Sequence, residues 1–90
     1  TFDEALQKVN DSAYGLQAAV FTHDLGRVRR AFAELEVGGV VVNEMPTFRS
    51  DNYPYGGVKG SGLGREGVRA AMLDLTEERV LVLGRDPRER

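Results

Sequence analysis

Phe2, Ala5, Leu6, Val9 and Ala13 recur at three- and four-residue intervals, the period that lines one face of an α-helix. Thr1 and Glu4 form a capping-box pattern, in which the hydroxyl accepts from the Glu4 amide and the carboxylate reaches back to Thr1. A helix is predicted over residues 3 to 9 or 10, ended by Asn10-Asp11-Ser12, whose short polar side chains compete for backbone hydrogen bonds. Residues 16–22 are apolar and of strand length. Thr22 or Asp24 then caps a second helix that carries Leu25, Val28, Phe32 and Leu35 on one face, and Gly38-Gly39 stops it. Val40, Val41 and Val42 are β-branched on both sides, as in a strand covered on both faces. Strand, helix and covered strand read as a βαβ unit with parallel strands and a right-handed crossover.

Periodicity then disappears. Residues 43–64 hold Pro46, Pro54, Tyr53, Tyr55 and five glycines. A stretch this long without regular structure is usually functional or disordered, and the aromatic Phe48, Tyr53 and Tyr55 argue for an ordered loop that lines something. A short helix is predicted over residues 65–73, with Val68, Ala71, Met72 and Leu75 inward, followed by a strand over 79–83. The reading is an α/β fold in which residues 1–76 form one body, 77–84 a strand and 85–90 a charged tail expected to fray. Three strands and so long a loop make a marginal core, so the chain is expected to belong to a larger fold or to rely on a second copy.

Composition narrows the chemistry. Net charge is −2 with both signs interspersed, which gives no basic surface for nucleic acid. No apolar run is long enough to cross a membrane and no cationic, apolar leader opens the chain, so a cytoplasmic protein is the expectation. The 90 residues include no cysteine, which removes disulfides, thiolate nucleophiles and Cys-ligated metals together. His23 is the single histidine, at a strand-to-helix turn where a solvated role is the ordinary one, and no second histidine joins it to form a metal site.

Two nucleotide signatures are nearly present. Gly62-Leu63-Gly64-Arg65-Glu66-Gly67 satisfies G-x-G-x-x-G, but a long loop precedes it where the dinucleotide fingerprint needs a strand. Gly57-Val58-Lys59-Gly60-Ser61 has P-loop letters with Lys ahead of Gly, the wrong order for a phosphate cradle. Neither reads as a cofactor site.

As one string the loop is more specific. Val42-Asn43, Pro46-Thr47-Phe48-Arg49, Pro54-Tyr55-Gly56-Gly57-Val58-Lys59 and Ser61-Gly62-Leu63-Gly64-Arg65-Glu66-Gly67 resemble the end of aldehyde dehydrogenases. Tyr14-Gly15-Leu16, followed by Val20-Phe21-Thr22-His23-Asp24-Leu25, matches the family's segment upstream, and residues 72–82 match its closing helix and strand. The version around Phe48-Arg49 and Asp51-Asn52-Tyr53 is most similar to the branch acting on lactaldehyde, phosphonoacetaldehyde and, without phosphorylation, glyceraldehyde phosphate.

The resemblance implies a C-terminal part of an NAD(P)-dependent enzyme that oxidises aldehydes to carboxylates through a cysteine, with a glutamate activating water. In the family the cysteine, the base and the dinucleotide site all precede the region matched here. It therefore implies a chain that is inactive alone, holds no catalytic, cofactor or metal residue of its own, and works with the rest of the catalytic domain. NAD or NADP would serve the full-length enzyme, with none bound to this chain alone. By position Phe48 and Tyr55 match residues lining the aldehyde tunnel, where they would exclude water and hold the carbonyl; the alternative for each is a plain core aromatic. Arg49 either supplies a cation for a substrate carboxylate or phosphate or is a surface arginine. Lys59, Arg65 and Glu66 are expected to anchor the loop. The family's last strand joins an oligomerisation sheet, so residues 79–83 imply a homo-oligomer. The other function left open is a stand-alone, non-catalytic assembly module derived from the family.

Overall fold

The computed structural model describes residues 1–89. Its first helix, α1 (Phe2–Asn10), begins at Thr1 with both halves of the capping box formed. The Thr1 hydroxyl accepts from the Glu4 amide at 3.2 Å, and Glu4 accepts from the terminal ammonium at 2.9 Å. Two strands follow in quick succession, β1 (Tyr14–Gly15) and β2 (Gln17–Val20). Helix α2 (Leu25–Glu34) starts at Asp24, whose carboxylate accepts from the amides of Gly26 and Arg27. That choice of cap leaves the Thr22 hydroxyl to accept from the Asp24 amide instead.

β3 (Gly39–Val42) returns parallel to β2, with Gln17 opposite Gly39 and Val20 opposite Val42, so the βαβ expectation holds in element order and strand direction. The long loop carries one short strand, β4 (Val58–Lys59), which pairs antiparallel with β1. The last helix, α3 (Val68–Asp74), starts later than the 65–73 periodicity suggests. Arg65 and Glu66 are held extended by the Tyr55–Glu66 bridge, and Gly67 has φ +113°, which breaks any helix at that point.

The core is small. Leu6, Ala31 and Leu35 are its buried residues, with Phe2, Ala18, Val20, Val37 and Val40 packed around them. Ala31 of α2 and its C-cap residue Leu35 belong to that core, while Leu25 and Phe32, expected on the same face, are exposed, Phe32 at 76%. Outside this cluster Arg30 donates to Glu34 and to Asp3, tying α2 to α1. Those two carboxylates raise its pKa, Glu34 contributing most.

Three sequence expectations need correction. β3 is not covered on both faces within this chain, where Val42 remains exposed. α3 buries none of its apolar side chains, and Val68, Met72 and the adjoining Leu75 all face solvent. Residues 79–83 form no strand, because no edge of either two-stranded sheet lies alongside to pair with them. Within this segment Val80, Leu81, Val82 and Leu83 are 81–89% exposed.

The surface is correspondingly large. It measures 7750 Å², where a self-contained chain of this mass would expose about 5,200 Å². The radius of gyration is 20.2 Å, against about 12 Å for a compact 90-residue domain. Such a shape leaves apolar surface in need of neighbours.

Candidate functional site

The loop leaves the sheet at Asn43, which lies in the left-handed region at φ +56°. Asparagine tolerates that conformation better than other non-glycine residues. Its side chain amide donates to the Thr22 carbonyl at 3.0 Å and its side chain oxygen accepts from the Thr22 amide at 2.9 Å. The pair seals the ends of β2 and β3 and sends the chain out over the sheet.

Phe48 is then fixed through its backbone. The Gln17 amide group donates to the carbonyls of both Pro46 (2.9 Å) and Phe48 (2.7 Å), and the Tyr53 hydroxyl donates to the Phe48 carbonyl at 3.1 Å. Tyr55 is held by a two-way bridge, its amide donating to the Glu66 carbonyl at 2.9 Å and its carbonyl accepting from the Glu66 amide at 2.6 Å. Next come Gly56 and Gly57, which press on Gly38 and Gly15. A Cβ on Gly38 would fall within the Gly56 carbonyl oxygen, and one on Gly57 would lie 2.5 Å from the Ser61 Cβ.

The loop's far end is fastened by charge. The Lys59 ammonium donates to the carbonyls of Asn10 (2.8 Å) and Ser12 (3.2 Å) and pairs with the Glu36 carboxylate at 2.7 Å. Arg65 donates through Nη1 to the carbonyls of Gly57 (2.9 Å) and Gly64 (2.7 Å). The Ser61 hydroxyl accepts from the part-buried Gly15 amide at 2.9 Å. Lys59 and Arg65 are thus anchors, as expected of them.

These fasteners leave a solvent-open cleft of about 530 Å³ between β3 and the loop, with Gln17, Val41, Glu44, Phe48, Tyr53 and Tyr55 among its walls. Phe48 and Tyr55 therefore share one cleft. Arg49 lines a different depression, with Glu66, Val68 and Asp74. Its Nη2 donates to the Glu66 carboxylate at 2.9 Å, and its guanidinium sits 4.7 Å from the centre of the Tyr55 ring. Sequence reasoning missed Gln17, and it named Tyr53 only as a loop aromatic, without the hydroxyl's bond that helps set Phe48. For Gln17 the signal was visible, a long amide in an otherwise apolar strand.

An aromatic slot of this size suits a small molecule, with a few polar groups to orient it. The side chains that line it can hold and desolvate a ligand, and none of them is a thiol or imidazole nucleophile. Among the described residues no three His, Asp or Glu side chains converge as metal ligands do, and no helix is long and apolar enough to cross a membrane.

The cleft's residues lie in a segment with many relatives. Residues 1–81 match the model of the aldehyde dehydrogenase family. The 3-sulfolactaldehyde dehydrogenase of Priestia megaterium is 54% identical over 81 residues, covering 90% of this chain and 17% of that protein. The lactaldehyde dehydrogenase of Methanococcus maripaludis is 47% identical over the same share of each. In the solved structure of aldehyde dehydrogenase 21 from Physcomitrella patens, in complex with the reaction product succinate, 17% of the chain superposes on 92% of this one. Its TM-score is 0.87 and its identity 49%. The NADP-complexed glyceraldehyde-3-phosphate dehydrogenase of Methanocaldococcus jannaschii superposes with a TM-score of 0.78 at 49% identity, over 80% of this chain and 16% of its own. The chain spans about a sixth of the length of these relatives. It belongs to the aldehyde dehydrogenase family, as a partial segment from the branch that holds the lactaldehyde and sulfolactaldehyde dehydrogenases.

Proposed function

We propose that the chain is the C-terminal segment of an NAD(P)-dependent aldehyde dehydrogenase, in which it forms one wall of the aldehyde site and is inactive by itself. The observation that carries this reading is the cleft in which Phe48 and Tyr55 meet on a loop fastened at both ends. Two aromatic side chains on a fixed backbone exclude water from a reacting carbonyl and restrict its orientation, which lowers the entropic part of the barrier. NAD or NADP bound to the rest of the enzyme would supply the hydride acceptor. This chain's own share is binding, orientation and desolvation.

The relatives support a substrate class for the proposal. Their names point to short aldehydes bearing a hydroxyl and, in one case, a sulfonate. A cleft of about 530 Å³ with Gln17 and Glu44 beside the two aromatics has room and polar groups for such a molecule. The unpaired, exposed residues 79–83 support a second part of the proposal, that this stretch adds as a strand to another subunit and makes the enzyme a homo-oligomer.

The test has two arms. The purified chain, supplied with NAD or NADP and lactaldehyde, should give no turnover, and measurable oxidation would refute the division of labour. In the second arm this sequence replaces the matching 81 residues of the Priestia megaterium enzyme. That graft should oxidise 3-sulfolactaldehyde, whereas a folded graft that binds dinucleotide yet turns nothing over would refute the placement.

A further inference from the structure

Gln17 is the one polar side chain of β2. Ala18 and Val20 pack against the core, and side chains alternate along a strand. Gln17 therefore lies on the opposite face, where it lines the cleft. Its partner in the parallel ladder is Gly39. A Cβ at Gly39 would lie 3.2 Å from the Gln17 Cγ and 3.4 Å from its Oε1. The missing side chain leaves the gap over which Gln17 lies on its way to the loop.

At its far end Gln17 meets a turn. The Phe48 amide donates to the Met45 carbonyl at 3.0 Å, with Pro46 in the second position, where its fixed φ favours a tight turn. The Gln17 Nε2 donates to the two carbonyls that this bond leaves over on either side of Thr47, Pro46 at 2.9 Å and Phe48 at 2.7 Å. A primary amide has two N–H donors, so the whole donor capacity of Gln17 goes to this turn. The Phe48 carbonyl also accepts from the Tyr53 hydroxyl at 3.1 Å, which occupies both of its lone pairs. Phe48 is thus tied through its amide and its carbonyl, and the tie to the sheet runs through Gln17.

Resting on the reading of the cleft as the aldehyde site, we propose that Gln17 is a positioning residue for the aldehyde wall, and that Gly39 is the small neighbour it requires. Gln17 passes the position of the paired strands β2 and β3 to Phe48. The sheet, rather than the loop alone, then sets how far the ring stands from the reacting carbonyl. A displacement of about 1 Å is enough to disturb the orientation of a bound substrate.

The graft in the Priestia megaterium enzyme, assayed with 3-sulfolactaldehyde, gives the test. Gln17→Met keeps the length of the side chain and removes both donors. It should lower kcat/KM for the aldehyde about tenfold and leave the KM for the dinucleotide where it was. Gln17→Glu keeps the shape but sets a carboxylate against two carbonyl oxygens, so its loss should be at least as large. Gly39→Ala retains the amide and crowds its stem, and should give a smaller loss of the same kind. In a Phe48→Ala background neither Gln17→Met nor Gly39→Ala should have a further effect, since both act through that residue. A smaller loss in Gln17→Glu than in Gln17→Met would overturn the proposal, as would an equal change in the dinucleotide KM. Full additivity with Phe48→Ala would overturn it in favour of direct contact between Gln17 and the substrate, and no loss in Gly39→Ala would overturn the role given to that glycine. Failure of the underlying site reading looks different, because Phe48→Ala alone would then leave the aldehyde kinetics unchanged. A melting temperature for each variant separates a folding defect from a kinetic one, and Gly39→Ala leaves Gln17 itself intact.

Discussion

Lys59 fastens the loop to the rest of the chain, and replacing it with methionine removes that fastener while keeping most of its apolar stem. Two hydrogen bonds from the ammonium, to the carbonyls of Asn10 and Ser12, disappear, as does the pair with Glu36. Each hydrogen bond contributes about 1–1.5 kcal/mol. The ion pair adds about 0.5 kcal/mol, because Glu36 is well exposed and solvent screens it. Lys59→Met should therefore loosen the loop by about 3 kcal/mol. Lys59 also sits at φ +54°, a conformation that costs a side chain about 1 kcal/mol and glycine almost nothing. Lys59→Gly should then lose only about 2 kcal/mol despite removing more atoms. Amide hydrogen exchange reads the local opening directly. The Gly60 amide, which donates to the Ala13 carbonyl at 2.9 Å, should exchange roughly a hundredfold faster in Lys59→Met. Amides of β2, paired with β3 away from this contact, should change far less. If both regions speed up equally, or if Lys59→Gly exchanges faster than Lys59→Met, the account of Lys59 is wrong.

Other substitutions probe the same architecture. Gly38→Ala forces a methyl into the Gly56 carbonyl and should destabilise the chain by about 1–3 kcal/mol or more, read as a lower melting temperature by circular dichroism. Ser61→Ala leaves the part-buried Gly15 amide without its acceptor and should cost about 1–3 kcal/mol, visible as a lower urea midpoint. Deleting residues 79–83 removes the exposed apolar stretch that meets nothing in the chain. It should leave the far-ultraviolet spectrum of residues 1–76 almost unchanged while reducing self-association in sedimentation.

The parts of the fold that were legible in sequence are those fixed by neighbouring residues. Thr1 with Glu4, and Asp24 ahead of Leu25, satisfy helix-end amides locally, so both helices begin where their caps sit. The parallel pairing of β2 with β3 follows from a helix between two apolar strands. What escaped depends on contacts distant in sequence. The β1–β4 pairing joins two residues to two others over forty positions away, and no periodicity fits in so short a strand. Its cause is the close approach of Gly15, Gly57 and Ser61, which only the folded backbone reveals. The start of α3 was misplaced because Arg65 and Glu66 are good helix formers, and the bridge to Tyr55 overrides that preference. The apolar face of α3 was read correctly as apolar and wrongly as facing inward, and residues 79–83, read as a strand, are unpaired in this chain. Periodicity reports that a face wants a partner, and the partner need not lie within the same 90 residues. For the site, resemblance singled out Phe48, Tyr55 and Arg49 together. The structure puts the first two in one cleft and Arg49 behind Tyr55, paired with Glu66.

The central claim is that the cleft of Phe48 and Tyr55 is the aldehyde wall of a dehydrogenase. Its most direct test is the aldehyde KM of the graft with Phe48→Ala and Tyr55→Ala. Losing the burial of an aromatic surface against the substrate should raise that KM about tenfold or more, while the KM for the dinucleotide stays where it was. An unchanged aldehyde KM, or an equal rise in both, would contradict the account.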